Sequence, residues 1–322
     1  MAVKPLSSGL SRRSQRGFSL VELMVALTIG LFLMGAVGII YVNTSNSSRA
    51  STLESQMNED AALALELLQQ QIRLAGFSNA DNTGARRFSG RAVYGCDLGF
   101  AATDANFNAL ACNGAGTASD AISVRYEATL LNSQDAAGDP GNCAHEGIAE
   151  WAAAGEGGID NMRLADNRYY VAADADGTPA LFCQGRTGAG FGDATALIPN
   201  IEDMQVQFAV TALPVVDEVI PHQVAGYVNA SHDALGDTAA NWSRVAAIRV
   251  CLIARSATPV PTGDNSLDDV GFYRGCNGEE LTSSDRYLRR AYVTTIQLRN
   301  ARPALPAEWS LGANPWAFLY EE

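Results

Sequence analysis

The hydrophobic pattern of this chain changes twice. Residues 23–42 form a twenty-residue apolar run without a charge, LMVALTIGLFLMGAVGIIYV. At about 1.5 Å per helical residue, such a run crosses a hydrocarbon core about 30 Å thick. Beyond it the pattern becomes amphipathic. Leu53, Met57, Ala61, Ala64, Leu65, Leu68, Ile72 and Ala75 recur at three- and four-residue spacings, with Glu54, Glu59, Asp60, Glu66 and Gln69 among them. That periodicity predicts one apolar helical face, stopped at Gly76 after Arg73 in the last turn. A helix from Phe18 to Ala75 would then be lipid-soluble in its first half and lay a stripe on a globular head in its second. The 4-4 steps, in place of a sustained heptad, argue against a coiled-coil stalk.

From residue 77 onward Gly, Asn, Asp and Ser become frequent and the apolar stretches shorten. The pattern predicts strands at 121–128, 169–173, 179–184, 204–211, 245–254 and 290–298, with Met204, Val206, Phe208 and Val210 on one face. Asp174-Ala175-Asp176-Gly177 reads as a hairpin turn. Strands joined by turns, with no helical pattern between them, imply an antiparallel sheet, so the expected class is α+β. Residues 77–120 and 130–165 read as loop-rich insertions. The tail, 301–322, carries Trp309, Trp316, Phe318 and Tyr320. It is too aromatic for a free solvated segment and is expected to pack across the head, with partner docking as the sharper alternative.

The charges ahead of the apolar run orient it. Lys4, Arg12, Arg13 and Arg16 precede it with no acid, so the N-terminus should stay cytoplasmic and the head should be exported. An ordinary signal peptide is the competing reading, but the run exceeds an h-region and no Ala-x-Ala site ends it. Glu22 sits just inside the apolar stretch. A carboxylate in lipid is costly and needs either an interfacial position or a partner.

Residues 16–24, Arg-Gly-Phe-Ser-Leu-Val-Glu-Leu-Met, resemble the class III signal of type IV pilins and type II secretion pseudopilins. The resemblance implies a pilin-like fold and cleavage by the prepilin peptidase between Gly17 and Phe18. It also implies N-methylation of Phe18 and a place for Glu22 as the fifth mature residue. In the family that glutamate pairs with the terminal amine of a neighbouring subunit. Only one axial register neutralises both charges, and a buried carboxylate is tolerable beside a positive group. Gly30, Gly35 and Gly38 would permit close packing of such helices. Farther along, residues 63–77, 198–210, 245–256 and 288–300 are similar to the PilW group of minor pilins. The domains expected on this basis are a cleaved leader at 1–17, a membrane half-helix at 18–42, an amphipathic half-helix at 43–76, a periplasmic head at 77–300 and the tail at 301–322.

The PilW resemblance implies a non-enzymatic subunit held in the inner membrane until assembly. It would join other minor pilins and the major pilin to prime the pilus tip, supporting adhesion, twitching motility or DNA uptake, with a PilY-type tip adhesin as a further partner. A type II secretion pseudopilin shares the N-terminus and is the first alternative. A membrane-anchored periplasmic enzyme is the second.

Composition narrows the field. The chain has 322 residues and a net charge of −13, which repels nucleic-acid phosphate. Lys4 is its only lysine, which removes lysine-based Schiff-base, general-base and phosphate-loop chemistry from the head. Six cysteines, Cys96, Cys112, Cys143, Cys183, Cys251 and Cys276, lie on the exported side, where an even count suggests disulfides. About fifteen pairings are possible. Short loops favour Cys96–Cys112 and Cys251–Cys276, which leaves Cys143 for Cys183. With no C-x2-C pair, a metal site is not expected. Catalysis finds no coherent set, and no cofactor is expected. His145-Glu146 lacks the second histidine of a zincin, since position 149 is Ala149, and His222 and His232 stand apart. Gly185, Gly188, Gly190 and Gly192 do not fit a dinucleotide fingerprint and read as a mobile loop. The acidic stretches 174–176 and 264–269 do not fit a calcium loop and read as solvated turns.

Overall fold

In the computed structural model the described residues are 17–79, 91–106, 109–114, 119–150, 162–188, 190–211, 224–236, 238–260 and 271–300. The leader up to Arg16, His222, the acidic stretch 264–269 and the aromatic tail lie outside them. A single helix, α1, runs through Leu20–Leu74. It belongs to two units, one ending at Ala50 and the other beginning at Ser51. In the second unit Met57, Ala61, Ala64, Leu68 and Ile72 are buried, as the 4-3-4-4 spacing requires. Gly76 ends the helix at φ +73°, a left-handed conformation that favours glycine, and its N–H donates to the Arg125 carbonyl at 2.9 Å.

Eleven strands follow among the described residues. The first five are β1 (Val93–Cys96), β2 (Ala121–Glu127), β3 (Leu164–Ala173), β4 (Pro179–Gly185) and β5 (Thr195–Pro199), and they form one antiparallel meander in that order. The rest are β6 (Ile201–Thr211), β7 (Val224–Val228), β8 (Val245–Arg255), β9 (Phe272–Arg274), β10 (Glu280–Thr282) and β11 (Arg289–Gln297), with a short helix α2 (Ala239–Trp242) before β8. Four of these make a second antiparallel sheet ordered β11-β8-β6-β7, and β9 with β10 forms a separate hairpin. The architecture is therefore α+β, with one long N-terminal helix and antiparallel sheets.

Six strands fall where alternation predicted them. Five do not: β1 lies inside the stretch read as a loop-rich insertion, and β5, β7, β9 and β10 are three to five residues long. The stretch 130–165 likewise ends in the first residues of β3. The Asp174 turn is a hairpin, with Ala173 opposite Pro179, Gly177 at φ +79° and Asp174 Oδ1 accepting from the Asp176 and Thr178 N–H groups.

The sheets meet the helix through a shared core. Tyr126 Oη and Asn167 Nδ2 both donate to Gln71 Oε1, at 3.0 and 3.2 Å, and Asn200 Nδ2 reaches Asp60 at 3.2 Å. Gly95 admits the Phe208 ring, since a Cβ there would stand 2.4 Å from it, and Trp242 packs edge-on to Phe208 with ring centroids 5.0 Å apart. On β11, Arg290 pairs with Glu54 at 2.8 Å, and Tyr292 Oη donates to Asn58 Oδ1. These contacts fix which side of the second sheet faces α1.

Candidate functional site

Gly17, Phe18 and Ser19 precede the first helical residue, Leu20. Ser19 caps the helix: its Oγ accepts from the Glu22 N–H at 3.2 Å, and its own N–H donates to Glu22 Oε2 at 2.9 Å. This reciprocal S-x-x-E pair is a capping box, which satisfies two backbone donors that a helix start leaves orphaned. The sequence reading assigned Glu22 an inter-subunit partner and missed this local one, although Ser19 three residues before Glu22 signals it. Only one carboxylate oxygen is used, and among the described residues Oε1 accepts no hydrogen bond.

Behind the cap, α1 is apolar around its circumference and solvent-facing within this chain. Leu20 is 74% exposed, Phe32 78% and Met34 79%. Among the described residues a Cβ added at Gly30, Gly35 or Gly38 would meet nothing within 4 Å, so none of them requires those glycines. The Thr28 hydroxyl donates back to the Met24 and Val25 carbonyls, which hides it from hydrocarbon. A helix that exposes this much apolar surface needs lipid or other helices around it.

In the head, all six cysteines are paired: Cys96 with Cys112, Cys143 with Cys183, and Cys251 with Cys276, at Cα separations of 5.2, 6.3 and 5.8 Å. The first closes the loop after β1. The second ties the segment after β2 to β4, and the third pins the β9–β10 turn to the central strand β8. Each constrains the unfolded chain by about 2–4 kcal/mol.

His145 and His232 both make local turn contacts. His145, at φ +60°, sits in a turn built by Asn142, whose Oδ1 accepts from the Ala144 and Glu146 N–H groups. His232 Nδ1 accepts from the Ala234 N–H. In the glycine-rich stretch Arg186 bridges Phe191, and Gly192 N–H donates to the Gly185 carbonyl at 2.9 Å. Gly185 has no side chain because Asn142 occupies that space. Among the described residues no three His, Cys, Asp or Glu side chains are grouped to hold a metal ion.

The side of the second sheet away from α1 carries a polar groove of about 610 Å³. Its rows follow from register, with Gln205 beside Cys251 and Val293, and Gln207 beside Arg249 and Thr295. Asp120 also lines it, 4% exposed, with Oδ2 accepting from the Val206 N–H at 2.7 Å. Burial pushes its carboxyl up to about 8; the Val206 N–H opposes this, and Asp97 and Asp203 add to it. A carboxyl raised in the folded state stabilises the fold below its unfolded value, near 4, and that contribution is lost as pH rises through 8. Asp120→Asn should therefore raise the melting temperature at pH 8 relative to the parent and leave little difference at pH 4. A difference independent of pH over that window would contradict the assignment.

Family models match two separate stretches of the chain. Residues 12–38 match the prokaryotic N-terminal methylation motif, and residues 168–300 match the family described as Type IV Pilus-assembly protein W. A solved type IV-like pilin from Thermus thermophilus aligns over 76% of this chain and 98% of its own, at 13% identity and a TM-score of 0.36. No curated protein matches. The PilW match over residues 168–300 and the methylation motif over residues 12–38 together support a PilW-type minor pilin, a non-enzymatic subunit anchored by its N-terminal helix.

Proposed function

We propose that this chain primes type IV pilus assembly and is incorporated at or near the pilus tip. The observation that carries the reading is the capped helix start, where Glu22 Oε1 accepts nothing among the described residues, followed by an apolar helix surface that the described residues leave uncovered. Such a surface suits a subunit that waits in the inner membrane, head in the periplasm, and then transfers into a bundle of like helices. The prepilin peptidase would cut between Gly17 and Phe18 and methylate the new terminus. Other minor pilins and the major pilin would cover the helix, and a PilY-type adhesin would meet the head. Adhesion, twitching motility or DNA uptake would follow from the assembled tip.

Mass spectrometry of the protein from its host tests the processing step. The expected mass is that of residues 18–322 with one added methyl group and six oxidised thiols, whereas Gly17→Val should keep Met1 and stay out of surface pili. Normal processing of that variant would refute the cleavage site. Deletion of the gene is expected to abolish surface pili. Intact pili with a loss of protein export would instead establish the secretion pseudopilin.

A further inference from the structure

The groove on the far face of the second sheet gathers more polar groups than the head itself uses. Arg249 is held from two sides: its guanidinium lies 3.9 Å from the centroid of the Tyr227 ring, and Nη1 donates to Gln207 Oε1 at 3.4 Å. Among the described residues Nε and Nη2 have no acceptor, and Arg249 forms no ion pair. Gln207 keeps its Nε2 donors, and the side chains of Asn229, Asn277 and Thr295 make no hydrogen bond. Asp120 adds a buried group to these exposed ones. Its Oδ2 accepts from Val206 N–H, while Oδ1 accepts nothing among the described residues. With the carboxyl pushed up to about 8, Asp120 faces the groove at neutral pH mainly as an uncharged donor. A buried polar atom without a partner is costly, so it favours whatever ligand meets it.

The walls of the groove are fixed before anything binds. Asn277 stands on the β9–β10 turn, which the Cys251–Cys276 disulfide pins to the central strand β8. Asn229 follows β7, and the two residues after it are tied down, since Ala230 and Ser231 N–H donate to the Asp97 carboxylate at 2.7 and 3.0 Å. Groups already held in place lose little freedom on binding. The volume, about 610 Å³, falls within the range of about 300–1,000 Å³ usual for ligand pockets.

Charge and hydrogen-bonding type select the ligand class. Arg249 is offset by Asp97 and Asp203, whose fields reach Asp120 in the same groove, so neither an anion nor a cation is favoured. Asp203 is itself engaged by Ser119 Oγ at 2.6 Å and by Gln205 Nε2 at 3.2 Å. What remains is a set of amides, a hydroxyl and a carboxyl that donate and accept side by side, as sugar hydroxyls do. Val293, 55% exposed, supplies an apolar contact for the C–H face of a ring. We propose that this groove binds an uncharged saccharide, with Arg249, Gln207, Asn277 and Asp120 holding its hydroxyl groups. The site lies wholly within the head, so binding does not depend on whether the subunit has entered a pilus.

A panel of immobilised neutral and acidic glycans tests this, probed with the full-length protein in a detergent that has no sugar headgroup. Neutral glycans should be retained. Binding should be about tenfold weaker in Arg249→Met, which keeps the stem against Tyr227 and removes the donors, and about threefold weaker in Asn277→Ala. Leu131→Ser, at a 99% exposed leucine outside the groove, should bind as the parent does. If Arg249→Met lowers the melting temperature, Asn277→Ala decides, because that side chain is exposed and holds nothing in the head. Retention of no neutral glycan, or of acidic glycans alone, would overturn the proposal. So would unchanged binding in Asn277→Ala, or an equal loss in Leu131→Ser, which would place the contact on the exposed leucine.

Discussion

Arg168→Ala is expected to lower the unfolding free energy of the head by about 3–5 kcal/mol, comparable to loss of a disulfide. Arg168 and Asp166 are both fully buried on β3, with Nη2 to Oδ2 at 3.2 Å. The guanidinium also donates to the Thr103 carbonyl at 2.7 Å and lies 3.8 Å from the centroid of the Phe191 ring, while Ser123 Oγ donates to Asp166 Oδ1 at 2.7 Å. Removing the arginine strands a carboxylate in the interior with one hydroxyl donor. The cost comes from the orphaned charge more than from the lost attraction. Replacing both partners, with Asp166→Leu and Arg168→Met, should therefore recover most of the loss. Denaturant titration of the two variants checks this, and a single variant within 1 kcal/mol of the parent would show that the pair carries no such strain.

The second large effect concerns assembly. Glu22 has two separable duties in the proposed function: closing the Ser19 cap and neutralising a neighbour's terminal amine. Glu22→Gln keeps an oxygen able to accept from the Ser19 N–H and removes the charge, and Glu22→Ala removes both. Both variants are expected to be cleaved normally and to be nearly absent from purified pili. Ser19→Ala weakens the cap and keeps the charge, so incorporation close to that of the parent is expected. Immunoblots of sheared pili read all three. Recovery by Glu22→Gln would assign the effect to the cap and end the charge-pairing account.

Legibility in the sequence followed the physics of each element. β6 was plain because Met204, Val206 and Phe208 turn inward while Gln205 and Gln207 stay half-exposed. The first residues of β3 were not, because Leu164, Ala165, Asp166, Asn167 and Arg168 are all buried. Alternation assigns Asp, Asn and Arg to a wet surface, and partners distant in the chain, among them Ser123, Thr103, Gln71, Tyr126 and Cys143, make their burial tolerable. β1 failed for a different reason: its four residues, Val-Tyr-Gly-Cys, are too few to show a period, and all are buried. The capping box was legible and overlooked, since Ser19 and Glu22 stand at the required spacing.

By itself the sequence determined the membrane-length apolar run, the amphipathic continuation of its helix, the methylation motif across residues 12–38 and the acid at Glu22. Each of these is written in contiguous residues, and helix period and hydrocarbon thickness act on contiguous residues. The tertiary structure alone decided the β11-β8-β6-β7 order, the pairing of Asn200 with Asp60, and the burial of Arg168 against Asp166. Their energies come from partners distant in the chain, and such partners have no signature until the backbone has brought them together.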